Sequence, residues 1–174
     1  MLFCTYTRGP IGEHYREVGG PHRLLEGGFS SDYTHARISL RLKGELHPQD
    51  AQLVFLAQAT VGETTSCWSL TGQPLSVGPD WSEQTITCTP DPTQWTAMGA
   101  RHDRQDYYGV LELEQVLSDV NCDIMLILFP LDIAPMGPLD GDRDRLRPEK
   151  DYPVWRSRLP EGYVSLDWIE IEFP

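Results

Sequence analysis

The chain has 174 residues, a length that one core can serve, and 40% of them are hydrophobic, which excludes wholesale disorder. Its formal net charge is -12, from 14 basic and 26 acidic residues, and residues 51–100 hold no Lys or Arg. Such a field opposes DNA and other polyanions, and anionic membrane surfaces as well, because both are bound through Lys and Arg contacts.

The first ten residues have no charged start followed by an apolar run, so no signal peptide is expected. The longest strongly apolar stretch, residues 124–129, is the size of a strand and not of a transmembrane helix. The cysteines Cys4, Cys67, Cys88 and Cys122 form no C-x-x-C pair, so they are expected as free thiols, which favours a reducing and hence cytoplasmic location.

Period-two alternation dominates the chain. In residues 36–43 the side chains Ala36, Ile38, Leu40 and Leu42 fall on one face and Arg37, Ser39, Arg41 and Lys43 on the other, a strand with one wet face. His47-Pro48-Gln49-Asp50 turns the chain into residues 52–59, apolar nearly throughout and therefore a more buried strand. Residues 64–70 and 81–89 read as further strands, separated by the breakers Gly72-Gln73-Pro74 and Val77-Gly78-Pro79-Asp80. Val110, Leu113, Leu117 and Val120 recur at helical spacing, with Glu112 and Glu114 near the start, and predict one short crossover helix over residues 110–120. Residues 123–129 look like a central strand stopped by Pro130, and residues 132–160 like a long irregular segment. The last strand, residues 163–173, is expected to put Ile169, Ile171 and Asp167 inward and Glu170 and Glu172 outward. Strands that outnumber helices and are parted by Pro and Gly turns predict an all-β, antiparallel two-sheet sandwich spanning residues 1–174 as one domain. The expected core is Ile38, Leu40, Leu42, Leu53, Phe55, Ile86, Ile124, Leu126, Leu128, Ile169 and Ile171.

Three stretches carry a resemblance to a known superfamily. Asp32-Tyr33-Thr34-His35-Ala36 runs into the strand of residues 38–44, Gly78-Pro79-Asp80-Trp81 runs into the strand of residues 82–87, and residues 163–171 close the chain with Asp167 within them. In this order they resemble the galactose-binding-domain-like jelly-roll sandwiches, which include many carbohydrate-binding modules. The resemblance implies a jelly-roll sandwich and a non-catalytic glycan-binding role. It also implies that Asp167 helps hold a structural calcium. The insert of residues 101–121 and the charged loop after Pro135 are larger than such modules need, and members of the superfamily also serve as protein-interaction domains.

The most unusual composition lies in residues 95–109. Trp95, Arg101, Asp103, Arg104, Tyr107 and Tyr108 combine flat rings, guanidinium forks and carboxylates, the mixture that stacks sugar C–H groups and hydrogen-bonds hydroxyls. The plainer reading is a loop held by its own Arg–Asp pairs. Asp140, Asp142 and Asp144 recur at i, i+2 and i+4 as at the start of a calcium loop, but Arg145 stands where the turn needs Gly and Pro148 follows, so an ion-pair loop with Arg143, Arg145 and Arg147 competes. Asp167 could instead accept backbone N–H groups at a bulge. Calcium is the metal that carboxylates without a thiolate or imidazole cluster suit. Glu170 and Glu172, about 7 Å apart along a strand, fall within the span used by glycosidase carboxylates. Three readings follow: a glycan-binding module, a protein-interaction or assembly domain using the helix and long loops, and a small glycan-processing enzyme. A homo-oligomer is compatible with each.

Overall fold

The computed structural model describes residues 3–4, 23–62, 64–97, 111–130, 133–135, 153–155 and 160–174. They form an antiparallel two-sheet β-sandwich with few short helices. The larger sheet is made of β1 (Phe3–Cys4), β3 (Gln52–Val61), β4 (Thr64–Ser69), β6 (Thr96–Ala97) and β7 (Asp123–Phe129), in the order β1-β7-β3-β4-β6. The smaller sheet is β2 (Arg37–His47), β5 (Ser82–Thr87) and β10 (Glu161–Glu172), in the order β10-β2-β5. A two-stranded pair, β8 (Ile133–Pro135) with β9 (Pro153–Trp155), lies within the segment that the sequence presents as irregular. Two short helices complete the described chain, α1 (Arg23–Glu26) and α2 (Leu113–Ser118).

The core sits between the sheets where the alternation places it. Ile38, Leu40 and Leu42 of β2, Leu53 and Phe55 of β3, Ile86 of β5, and Ile124 and Leu126 of β7 are all buried in one cluster. Leu128, Ile169 and Ile171, also expected there, are only partly buried against it. β10 lies at the edge of the smaller sheet, so its inward side chains are covered from fewer sides.

The crossover helix is shorter than its periodicity, and among the described residues it occupies Leu113–Ser118. Gln115 accepts the Glu112 N–H at 3.2 Å and closes its first turn. Leu113, Val116 and Leu117 are buried, and the turn is fastened to β4 by the Trp68 indole N–H on the Leu111 carbonyl at 3.0 Å. At the other end the Tyr33 N–H donates to the Leu117 carbonyl at 2.8 Å and the Val120 N–H to the Ser31 carbonyl at 2.8 Å. Tyr33 is itself buried and its ring meets the Phe173 ring edge-on at 5.2 Å, so one residue, by backbone and by ring, joins the helix end to the end of the closing strand.

β10 departs from strict alternation. Its register against β2 shifts between Leu166, opposite Leu42, and Trp168, opposite Arg41, so Asp167 is the extra residue of a β-bulge. Val164 and Leu166 pack on the core before the bulge, and Ile169 and Ile171 after it. Asp167 therefore does not share the inward face with Ile169 and Ile171, as parity alone suggests; it is exposed. Farther along the same pair, a side chain on Gly44 would strike the Tyr163 carbonyl, and one on Gly162, at φ +118, would strike the Glu45 carbonyl. Only glycine lets the two backbones approach there.

At the free edge of β5 a side chain imitates a strand. The Gln73 amide donates to the Thr87 carbonyl at 3.0 Å and accepts the Thr87 N–H at 2.9 Å. Gln84, within β5, reaches back to Ser76 of the preceding loop, accepting its N–H at 2.7 Å and donating to its carbonyl at 2.8 Å. The Thr87 edge groups satisfied in this way are not offered to another chain.

The Ser69 hydroxyl is buried and finds no hydrogen-bond partner among the described residues, on the face of β4 that looks toward Leu56 and away from the main core. An orphaned hydroxyl costs desolvation and returns nothing. Ser69→Ala should leave the melting temperature unchanged or raise it, whereas Phe55→Ala should cost about 3–5 kcal/mol through the cavity it opens. Urea unfolding followed by tryptophan fluorescence checks both; a large loss in Ser69→Ala would mean that the hydroxyl has a bonding partner in solution.

Candidate functional site

The outer face of the smaller sheet is built by the same alternation that builds the core. Because Ile38, Leu40 and Leu42 turn inward, Arg37, Ser39, Arg41 and Lys43 must turn outward. Pairing then brings Glu172, Glu170 and Trp168 of β10 opposite Arg37, Ser39 and Arg41, with Thr87, Thr85 and Glu83 of β5 on the other side. Trp81 immediately precedes β5 and leans over β2, placing the Lys43 ammonium 4.6 Å and the Arg41 guanidinium 5.3 Å from its ring centroid. Tyr163 enters the same strip opposite Glu45.

Each cation is held by a neighbour. Arg37 donates to Glu172 at 3.0 Å, and Arg41 to Asp167 at 2.9 Å. Lys43 and Arg41 rest against the Trp81 ring, whose negative π-face attracts them. The Ser39 and Thr85 hydroxyls meet at 2.9 Å across the two strands. Trp81 keeps 37% of its surface exposed and Tyr163 keeps 54%, while Trp168 is half-buried. The result is a flat strip on paired strands that presents rings, guanidinium N–H donors and carboxylate acceptors to water.

The residues singled out from the sequence fare differently. Trp95 is only 5% exposed and belongs to the core cluster, with its indole N–H on the Thr89 carbonyl at 2.9 Å. Its ring packs within the core rather than standing open at the surface. The cause is local: a 3-10 turn at Pro92–Gln94 turns the chain inward. Asp91 caps this turn, accepting the Thr93 N–H at 3.0 Å and its hydroxyl at 2.8 Å. Those Thr93 bonds hold the Asp91 carboxyl below its ordinary pKa. Arg101, Asp103, Arg104, Tyr107 and Tyr108 lie outside the described residues, as do Asp140, Asp142 and Asp144.

The Asp167 carboxylate is engaged by the Arg41 guanidinium, and among the described residues no group of three or more His, Cys, Asp or Glu side chains is placed to hold a metal. Its bulge was the alternative visible in the sequence, although Arg41 and not a backbone N–H is the partner seen. Glu170 and Glu172 stand on the open face, where Glu172 is tied to Arg37, and both are exposed to water rather than sheltered in a cleft.

Sequence reasoning missed Trp81, Trp168, Arg41, Lys43 and Tyr163 as one group. Half of the signal was present, since the polar face of residues 36–43 and the tryptophan heading the next strand could be read directly. Strand order and register were needed to bring them together. Among the described residues no helix is long and apolar enough to cross a membrane. Comparison with known proteins finds no matching family model, no similar curated protein and no similar solved structure.

The cysteines of the described chain play no part in this face. Cys67, Cys88 and Cys122 form no disulfide among the described residues. Burial pushes Cys67 and Cys88 up to about 12 and Cys122 up to about 11. An acid whose pKa is raised on folding from the unfolded value of about 8.5 stabilises the fold fully below that value. The contribution is lost as pH rises through the folded pKa. The melting temperature should therefore fall as pH is raised from about 9 toward about 12, the window set by these thiols. At pH near 8, iodoacetamide with peptide mapping should leave Cys88 and Cys122 unmodified in the native protein and modify both in urea. Rapid native labelling of either would contradict the burial.

Proposed function

We propose that the protein is a non-catalytic glycan-binding domain, comparable in role to the carbohydrate-binding modules that its sequence resembles, and that the outer face of the β10-β2-β5 sheet forms its ligand-binding surface. The observation that carries this reading is the grouping of Trp81, Trp168 and Tyr163 with Arg41, Lys43 and Asp167 on one solvent-facing strip. A sugar asks for a ring to cover its apolar C–H face and for planar donors and acceptors around its rim. The strip supplies both on paired strands, which hold side chains in place more firmly than a loop does. Residues 101–108 carry a similar composition and are a second place where a glycan could be engaged.

The competing readings have less support. A protein-interaction domain working through its helix needs an apolar outward stripe, but the exposed residues of α2 and its caps are Glu112, Glu114, Gln115, Ser118 and Asp119. A glycan-processing enzyme working through Glu170 and Glu172 needs one carboxyl protected from water to serve as general acid, and neither is.

A broad glycan array followed by calorimetry tests the reading directly. Trp81→Ala should weaken the best ligand by about tenfold, or about 1.4 kcal/mol, through the lost stacking surface. Its melting temperature should move little, because the ring is partly exposed and lies outside the core. Absence of binding to every glycan on the array would reject the function.

A further inference from the structure

Resting on the glycan-binding reading, we propose that the ligand is an uncharged oligosaccharide laid across the strands of the smaller sheet, with Trp81 and Trp168 each stacking on a separate sugar ring and the Arg41–Asp167 pair contacting the hydroxyls between them.

The charge of the face selects an uncharged ligand. Arg37 is bound to Glu172, Arg41 to Asp167, and Lys43 lies against Trp81. The same strip carries the carboxylates Glu45, Glu83 and Glu170. The three cations Arg37, Arg41 and Lys43 thus face the five carboxylates Glu45, Glu83, Asp167, Glu170 and Glu172, in a chain of net charge -12. A uronate or sulfate group arriving here would have to break an existing pair to find a counter-charge, and would meet further acids beside it. A neutral sugar faces neither cost, and its hydroxyls can both donate to the carboxylates and accept from the guanidinium.

Spacing calls for more than one sugar. Trp81 stands on the β5 side and Trp168 on β10, with β2 between them. Two inter-strand steps separate their backbones by about 10 Å, and Trp81 leans from its side over β2. A chain of several sugars can cover both indoles at once. Arg41 lies between the two, on the central strand, opposite Trp168 and against the Trp81 ring. Arg41 and Lys43 act as positioning residues for Trp81, while Asp167 reaches the middle of the strip because the bulge turns it outward. The direction of the ligand is therefore across the strands, not along them.

Calorimetry on the full chain would compare the hexaoses of glucose, mannose and galactose with their monosaccharides and with oligogalacturonate and a sulfated oligosaccharide, in low and high salt. The expected result is binding of at least one neutral hexaose, with its monosaccharide at least tenfold weaker and affinity nearly independent of salt. Trp81→Ala and Trp168→Ala should each weaken the hexaose about tenfold. Trp168→Phe should retain most of the affinity, and Trp168→Leu, which keeps bulk but has no ring, replaces the alanine variant if that one melts early. Tighter binding of the charged oligosaccharides, or a steep loss of affinity with salt, would overturn the neutral-ligand assignment while leaving glycan binding in place. Hexaose affinity unchanged in both Trp81→Ala and the ringless Trp168 variant would overturn the two-ring geometry. Failure of every sugar would overturn the inference and the functional reading together.

Discussion

The single extra residue in β10 is the constraint on which the rest of the structure depends. A strand that alternates without interruption from Val164 would send Val164 and Leu166 inward and then Trp168, Glu170 and Glu172 after them. Ile169 and Ile171 would be left in water. Burying two unpaired carboxylates costs several kcal/mol or more, and exposing two isoleucines forfeits about 1.5–3 kcal/mol each. The bulge at Asp167 removes the conflict by resetting the phase in mid-strand, so both apolar pairs face β2's inward leucines and isoleucine. It also delivers Asp167 to Arg41 and places Trp168 beside the same guanidinium. Core and outer face are two results of one local irregularity.

The glycines on the same strand pair act in concert with it. Gly44 and Gly162 let β2 and β10 close tightly at the end remote from the Arg37–Glu172 pair, where a side chain would meet backbone. Increased twist is the usual consequence of a bulge, and a close backbone crossing absorbs it without spreading the strands. The two-sheet sandwich thereby keeps eleven paired positions between β2 and β10 from Glu161 to Glu172 despite the inserted residue.

Much of this architecture was legible in the sequence. The alternation of residues 36–43 assigns Ile38, Leu40 and Leu42 to the core without help, because a polar residue stands at every second position. Ile124 and Leu126 were legible from hydrophobicity alone. Phase was not legible in the closing strand. Counting by twos from Ile171 back to Asp167 is correct only if no residue is inserted, and no glycine or proline marks the insertion between Leu166 and Trp168. Trp95 misled for a different reason: its polar neighbours suggested a surface loop, while the Pro92–Gln94 turn buries it. The candidate face was half legible. Arg41, Lys43 and Trp81 are 38 to 40 residues apart in the chain, and only the β2–β5 register brings them together. Composition cannot supply that register, which follows from the turn geometry and the packing of both sheets.

The covered edge of β5 has a consequence for how the molecule endures in solution. Gln73 closes the Thr87 end of that edge with its side-chain amide rather than with a further strand, and Gln84 ties β5 to Ser76 of the loop before it. A cover of this kind opens by rotation about a few side-chain bonds and leaves the sandwich intact, so its opening free energy is well below that of global unfolding. Exposure to strand exchange with a second chain is then governed by the small population of opened native molecules and not by the far smaller population of unfolded ones. Colloidal lifetime and thermodynamic stability are separate properties at this edge, and the first depends on side-chain rotations that the second does not feel.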